Sequence, residues 1–583
     1  MSPPPRAAGV AAGPRWHRAI VPLACGVVSL VQWFPVFREP GSTGFGDWQM
    51  IQHNWEAAYI SLARFGQWPL WDAFHCGGIS IFRNPESQVY SPFFPLSFAF
   101  GTVWAVKIML WAHVTIGLWG AYRLARDAYA LHWLPSALAA FAWGCSGCIV
   151  WDGAGGHATF LPFTFTPWVI WLVRSSQTLR RKAALIALLF VVTLYEGGTY
   201  PLPFFGLLLV FELVLLAIQR VAPRWRAARD SAVLGATVLV LTVLTGMLRI
   251  VPSVFALREF PRQVANNDSV DLAYVLVMLT AREQPWRTPE HHFVWAEYGS
   301  YMGWPLVILG AAGAVLVAVR GPRHLLAGLV VFGSIMLGNL GPYAPWSVLH
   351  ELPVFDSLRV PTRFAMFFTL YVALLAAHAV QVVLDASRKL PRFGAYAVLA
   401  LLTLAAAAQL TDVIRVSRSA VELWRGAPLD DAPPAERHHL VAGRYAQRYA
   451  SYPRLNLGTP QCYAGAMNWR VSRALWTGDK PQVRVHEGEG IVYEVRHTSS
   501  EWSADVEMKS AGRLWFNQNF ADGWRANVGS VASDKELLAV DLPPGRHLVQ
   551  LRYAPRELFW CVLLSAFGFI AIGLVGFWRL PPL

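Results

Sequence analysis

The chain has 583 residues, 55% hydrophobic and 15% charged, where a soluble domain carries about 25% charged residues. With a mean hydropathy of +0.37, that composition fits a protein whose main solvent is lipid; a very large core would also lower the charge, and the length of the apolar runs decides against it. The formal net charge of +13 invites a nucleic-acid partner, but the basic residues sit where membrane topology wants them, so the partner read here is the lipid bilayer and no nucleic acid.

Residues 1–17, beginning MSPPPRAAGVAAGP, read as a disordered cytoplasmic tail. Residues 18–412 read as a transmembrane domain with apolar runs near 18–37, 104–122, 133–151, 159–173, 183–195, 200–219, 231–252, 302–319, 324–340, 362–384 and 393–412. A twelfth run, 557–578, lies in the last segment, 557–583, which ends in a short cytoplasmic tail. A helix crossing a bilayer core needs about 20 apolar residues. Runs 159–173 and 183–195 are short and read as tilted or broken helices. The first run is long enough to stay as an anchor, and no A-x-A-like cleavage site follows it. With a cytoplasmic N-terminus, the inner loops hold Arg123 and Arg126, Arg180, Arg181 and Lys182, Arg224, Arg226 and Arg229, and Arg388, Lys389 and Arg392. Only Asp127, Asp230 and Asp385 oppose them, as the positive-inside rule asks. The loops on the other face are very unequal, and the long ones, 38–88 and 253–301, direct attention there as the seat of function.

Within the first long loop, residues 47–65 read as an amphipathic helix along the membrane surface, with Trp48, Ile51, Trp55, Ala58 and Leu62 near one face. Residues 413–556 contain no spanning run. After a polar stretch come short alternating segments such as IVYEVRH, WSADVEMK and HLVQLRY, the pattern of an antiparallel β-sandwich on the outer face. Cys145 and Cys148 form a C-x-x-C inside the apolar AWGCSGCIVW, where close helix packing is favoured over redox chemistry. Cys76 and Cys462 both fall on the outer side, where pairing is open to them.

Asp47, in FGDWQ, has two readings. It is an N-cap for the following helix, or a carboxylate whose setting at the mouth of an apolar bundle suits it to act as a base. Glu290, His291, His292 and Glu297 cluster in loop 253–301, but their spacing matches no standard ligand motif, so no metal or cofactor is assigned; a divalent ion there is the lesser alternative. Asp152 and His157 share the short loop WDGAGGH, with a simple turn as the plain alternative. Glu212 lies inside an apolar run and must face the bundle. Arg359 and Arg363, and Arg249 and Arg258, flank helix ends, where the plain reading is snorkelling to headgroups. No P-loop, dinucleotide fingerprint or Ser/His/Asp arrangement is present, and the inner loops are too short for a nucleotide-binding domain.

Several short motifs occur in order along nearly the whole chain: G-D-W at 46–48, G-Q-W-P-L-W-D at 66–72, C-G-G at 76–78 and N-P-E-S-Q at 84–88. They continue with E-Y-G-S-Y-M-G at 297–303, L-R-V-P-T-R-F at 358–364, and D-G-W-R-A-N-V-G and L-P-P-G-R-H-L-V-Q-L-R-Y-A-P within 522–555. In these the chain resembles the bacterial YfhO-like membrane proteins of the GT-C glycosyltransferase superfamily, though it departs from them at E-G-G-T-Y-P, 196–201. The resemblance implies a GT-C-like helical membrane protein of a bacterial inner membrane, with both termini cytoplasmic. It implies transfer of a sugar from a polyprenyl-phosphate-linked donor to a glycan, lipid or protein acceptor on the outer face. Asp47 would be the base of an inverting displacement. Arg359, Arg363, Arg249 and Arg258 would meet the donor phosphate. Trp48, Asp152, His157, Glu196, His291, His292, Glu297 and Tyr301 would line the cavity. The rival readings are a lipid-linked glycan transporter, a glycan ligase or polymerase, and a non-catalytic envelope assembly factor.

Overall fold

The computed structural model describes residues 17–219, 224–286, 292–442, 449–463 and 467–577. It is mostly helical and carries a β-sheet domain before its last helix. Among the described residues, eight helical segments are long and apolar enough to cross a membrane: Ala19–Arg38, Thr102–Ala128, Trp133–Gly155, Pro201–Gln219, Arg224–Glu259, Pro361–Ser387, Arg392–Val421 and Leu558–Phe577. Twelve were expected. The other four runs are helical but fall short. Run 159–173 is divided between a 3-10 stretch containing Pro162, Ala158–Phe165, and the short helix Thr166–Arg174. Leu179–Tyr195 starts on Arg180, Arg181 and Lys182. Trp304–Arg320 and His324–Met336 are apolar but short.

Pro361–Ser387 runs through the centre of the bundle, with almost every residue of Ala365–Leu375 buried. It approaches Trp304–Arg320 so closely that a Cβ on Gly313 would lie 2.0 Å from the Leu375 carbonyl oxygen, the small-residue packing that membrane helices favour. Arg392–Val421 is the opposite case: 6% of its apolar window is buried by protein, so its surface is left for lipid. Cys145 and Cys148 are free and buried, with Cys148 Sγ beside the hydroxyls of Ser146 and Thr369.

The helix Trp48–Ala63 does not lie on a surface as its amphipathic pattern suggests. Trp48, Ile51, Trp55 and Ala58 of its apolar face and its polar positions Gln52, His53, Glu56 and Ser61 are all buried. The polar positions are matched by distant parts of the chain. Gln52 donates to Thr102 Oγ1 at 2.6 Å. Glu56 takes Arg454 at 2.8 Å, and His53 bridges Asp72 Oδ2 and the Tyr449 carbonyl, each at 3.0 Å. Sequence periodicity identifies a polar face but cannot say that protein will cover it.

The β domain is two four-stranded antiparallel sheets. One runs Ser530–Asp534, Leu537–Leu542, Gly512–Asn519, Val483–Glu487; the other runs Gly490–His497, Glu501–Met508, Gly545–Tyr553, Trp524–Ala526. Alternate residues point inward, so Trp502, Ala504, Val506 and Met508 meet Leu514, Phe516, Leu538 and Val540 in one apolar core. That core also takes in Leu70, Trp71, Ala73 and Phe82 from the first long loop. The loop is fastened there by a disulfide between Cys76 and Cys462 and by Asn519 Nδ2, which donates to the Cys76 and Gly78 carbonyls at 2.6 and 3.1 Å. The sandwich and the loop are one unit built from chain segments some 386 residues apart at the disulfide.

Candidate functional site

At the end of the bundle that carries the β domain, a turn and a helix start are pressed together. Gly156 has φ 95°, and a Cβ there would fall 2.4 Å from Trp48 N, so only glycine lets the turn come this close. The Asp47 N–H donates to Gly155 O at 3.3 Å, and Trp48 Nε1 donates to Gly153 O at 2.7 Å. This fixes the loop bearing Asp152 and His157 against Asp47.

The Asp47 carboxylate makes no capping hydrogen bond to its own helix. It accepts from the Tyr463 hydroxyl and stands 4.0 Å from His157 Nε2, with its side chain 29% exposed. His157 contacts Asp152 Oδ1 through Nδ1 at 3.1 Å, and its Nε2 is 3.9 Å from Glu297 Oε1. Glu297 in turn receives two bonds from Arg363, Nε to Oε2 at 2.9 Å and a terminal nitrogen to Oε1 at 2.6 Å. The Arg363 guanidinium lies over the rings of Phe160 and Tyr200, at 4.4 and 4.2 Å. The ladder Asp47–His157–Glu297–Arg363 therefore alternates in sign.

Burial by itself would lower the His157 pKa, but Glu297, Asp152 and Asp47 around it push it up to about 9, so the ring is a cation at neutral pH. Burial would raise the Glu297 pKa; Arg363 and His157 overcome it and hold the carboxyl at about 2. The cations of the ladder are thus engaged, and Asp47 is its most exposed carboxylate. Such an arrangement fixes a charged group at a solvent-accessible mouth without leaving an unpaired buried charge.

Of the residues singled out by sequence, Asp47, Asp152, His157, Glu297 and Arg363 come together. Arg359 is exposed beside them. Its guanidinium lies 5.6 Å over Phe293, its N–H donates to Tyr200 Oη at 3.1 Å, and its charge acts on both Glu297 and Tyr463. Trp48 is fully buried beneath Asp47, packed on Trp424. Four others lie elsewhere. Arg249 is not available to a donor phosphate: it is buried, donates to the Phe82 and Asn84 carbonyls, and lies over Tyr90, so it braces the first long loop. Arg258 is exposed in the last turn of its helix, outside the ladder. Glu196 is not part of this group: it is buried against His113 at 2.9 Å. Tyr301 donates to Asp412 at 2.7 Å and accepts from Arg282, a separate group. His292 is exposed, and Glu290 and His291 lie outside the described residues. Among the described residues, no group with metal-ligand geometry contains His292 or Glu297. Glu212 pairs with Arg174 at 2.7 Å and accepts from Tyr371, which accounts for a carboxylate within the bundle.

Tyr463 was missed. It sits in a polar stretch without periodicity, and its one local signal is its neighbour Cys462. The disulfide, with the bond from Tyr463 N to His75 Nε2 at 3.2 Å, brings that segment across the mouth.

No protein-family model matches the chain, and no curated protein is similar to it. Among solved structures it is similar to the arabinofuranosyltransferase AftD from Mycobacteria, at 18% identity over 72% of this chain with a TM-score of 0.46. Two structures of a variant of that protein give 16% identity over 79% of this chain with a TM-score of 0.49, and 14% over 93% with 0.48. The chain spans 28%, 33% and 42% of the length of those three chains. At that level of overlap and identity, the functional case rests on the side chains described above.

Proposed function

We propose that this chain is a GT-C-type membrane glycosyltransferase of the YfhO-like kind, transferring a sugar from a polyprenyl-phosphate-linked donor to an envelope acceptor at the domain-bearing end of the bundle. The observation that carries this reading is the alternating ladder at Asp47. One part-exposed carboxylate is held by Tyr463 beside the His157 cation, at the mouth of an apolar bundle. A single displacement at a sugar needs one base for the acceptor hydroxyl, and the product is inverted. Asp47 takes that proton. Among the described residues at the ladder, Arg359 is an exposed cation for the leaving phosphate, since Arg363 is committed to Glu297; Arg363 acts by holding Glu297, and through it His157, in place. The charged groups face one end of the bundle, while Glu212, inside it, is locked to Arg174. This favours a surface reaction over carriage across the membrane. The orientation that goes with it puts the β domain outside a bacterial inner membrane and both termini in the cytoplasm.

The test is glycan transfer by the purified chain in lipid, with a polyprenyl-phosphate sugar supplied. Asp47→Asn keeps the side chain's size and removes the proton acceptor. Transfer falls by about 10²- to 10⁴-fold if Asp47 is the base. Turnover close to wild type ends that role, because the asparagine side-chain amide cannot serve as the proton acceptor.

A further inference from the structure

Beside Arg359 lies a recess, a cavity of about 200 Å³ lined by residues 264–268, Phe293, Trp346, His350 and 358–361. We infer that it is a subsite for one sugar ring of the glycan substrate, flanking the Asp47 ladder; the inference deepens the glycosyltransferase reading and rests on it.

The chemistry of the walls argues for a polyol. Asn266 and Asn267 bring amides, each of which offers donors and an acceptor. Asn266 Nδ2 donates to Ser347 Oγ at 3.4 Å, and the neighbouring Asn267 amide is exposed, where a hydroxyl-bearing ligand can reach it. Phe293, Val264, Leu358 and Val360 supply the apolar surface that suits the C–H face of a sugar ring. A phosphate fits less well. Asp268 contributes a carboxylate to the lining that Arg359 shares, and His350 Nε2 is already engaged with Leu358 O at 3.1 Å.

The recess is also preformed. Its floor segment is stitched to neighbouring loops by bonds from Asn339 N to Asp268 O at 3.0 Å and from Asn339 Nδ2 to Asn266 O at 2.7 Å. Val264 N donates to Asp356 O at 3.3 Å, and Ser269 bridges Gly338. Val360, a β-branched residue, is held at φ 64°, a conformation that persists only where its surroundings impose it. A rigid polar recess loses little in ordering when it binds. Arg359 lines the recess, and Tyr200, which accepts from the Arg359 N–H at 3.1 Å, also lies 4.2 Å under the Arg363 guanidinium, so the recess adjoins the ladder at its arginine end.

The experiment is saturation-transfer NMR on the full chain in lipid nanodiscs, with methyl glucoside, methyl mannoside and methyl galactoside as probes. At least one should give a saturable signal in the wild type. That signal should weaken about tenfold or more in Asn267→Ala and vanish in Ala265→Trp, which fills the recess from an exposed rim position. Thermal unfolding of both variants should match the wild type. Asp47→Asn should keep the sugar signal whatever it does to transfer, so failure of the catalytic reading and failure of the subsite are read separately. The subsite is overturned if no glycoside binds or if binding is indifferent to both substitutions.

Discussion

Two buried carboxylate–guanidinium pairs in this molecule differ in what surrounds them. Glu212–Arg174 sits inside the bundle, with the carboxylate inaccessible and Tyr371 as its further donor. Glu297–Arg363 sits at the domain-bearing end, also almost inaccessible, but its neighbours are His157 and, beyond it, Asp47 and Asp152. The first pair closes on itself. The second passes its charge along to a residue that water and substrates can reach. Pairing two ions tells little about purpose; the open end of a network is what distinguishes a device from a brace.

The sharpest way to test that contrast is Asp47→Asn set beside Glu212→Gln. Asp47→Asn should lower transfer by about 10²- to 10⁴-fold with little change in unfolding. Glu212→Gln should leave the chemical step of correctly folded protein unchanged. Equal losses of turnover per folded molecule would erase the distinction.

Removing the arginine should cost about 3–5 kcal/mol for Arg174→Ala, which leaves the buried Glu212 unpaired, and less for Arg363→Ala, where the His157 cation still faces Glu297. Denaturant unfolding of Arg174→Ala and Arg363→Ala in detergent measures this. The functional outcomes should separate: Arg363→Ala also releases Glu297 from its place and should impair transfer in the surviving folded fraction, while Arg174→Ala should not.

The two pairs should also differ in their response to pH. His157 is held at about 9 in the fold against an ordinary value of 6.5, chiefly by carboxylates that outweigh burial. A raised folded-state value means that its contribution is complete below about 6.5 and is lost as pH rises through about 9. The loss is at most on the order of 3 kcal/mol. The unfolding midpoint of the wild type should therefore fall between pH 6 and 10 by more than that of His157→Gln. Parallel pH profiles would show that the ring carries no charge in the fold.

How far these groups could be read in advance follows from the same contrast. Spans were legible because long apolar runs announce themselves, but Pro162 and the cluster Arg180–Lys182 shorten two of them in ways that hydropathy alone blurs. Asp47, Asp152, His157, Glu297 and Arg363 were each conspicuous as ionisable residues beside apolar runs; their convergence was not, because it depends on the Gly155–Gly156 turn meeting the start of the Trp48 helix. Arg249 looked identical in sequence to a phosphate-binding arginine. Only the fold shows two carbonyls of the first long loop already occupying it. The helix at Trp48–Ala63 was recognised as a helix and misplaced, since the residues that cover its polar face, Arg454 and Tyr449, come nearly 400 positions later.

The smallest effect belongs to Tyr463, which ties that late segment to the ladder. Its phenol donates to Asp47, and the carboxylate and burial together raise the pKa of the phenol, so it remains the donor at any pH the protein would meet. Tyr463→Phe removes the hydroxyl and keeps the ring. A hydrogen bond to a charged group contributes about 1.5–3 kcal/mol. Asp47 is part-exposed, however, and water can replace the lost donor, so the net cost should be nearer 1 kcal/mol, a fall in transfer of roughly five-fold. Replacing both Cys76 and Cys462 by serine frees the same segment without touching the phenol. If the tyrosine acts by orienting Asp47, the two variants should lower the maximal rate to a similar extent, and their combination should cost little more than either alone, because both remove one constraint. Full additivity would instead mean that the disulfide braces the fold independently, and that Tyr463 reaches Asp47 without its help.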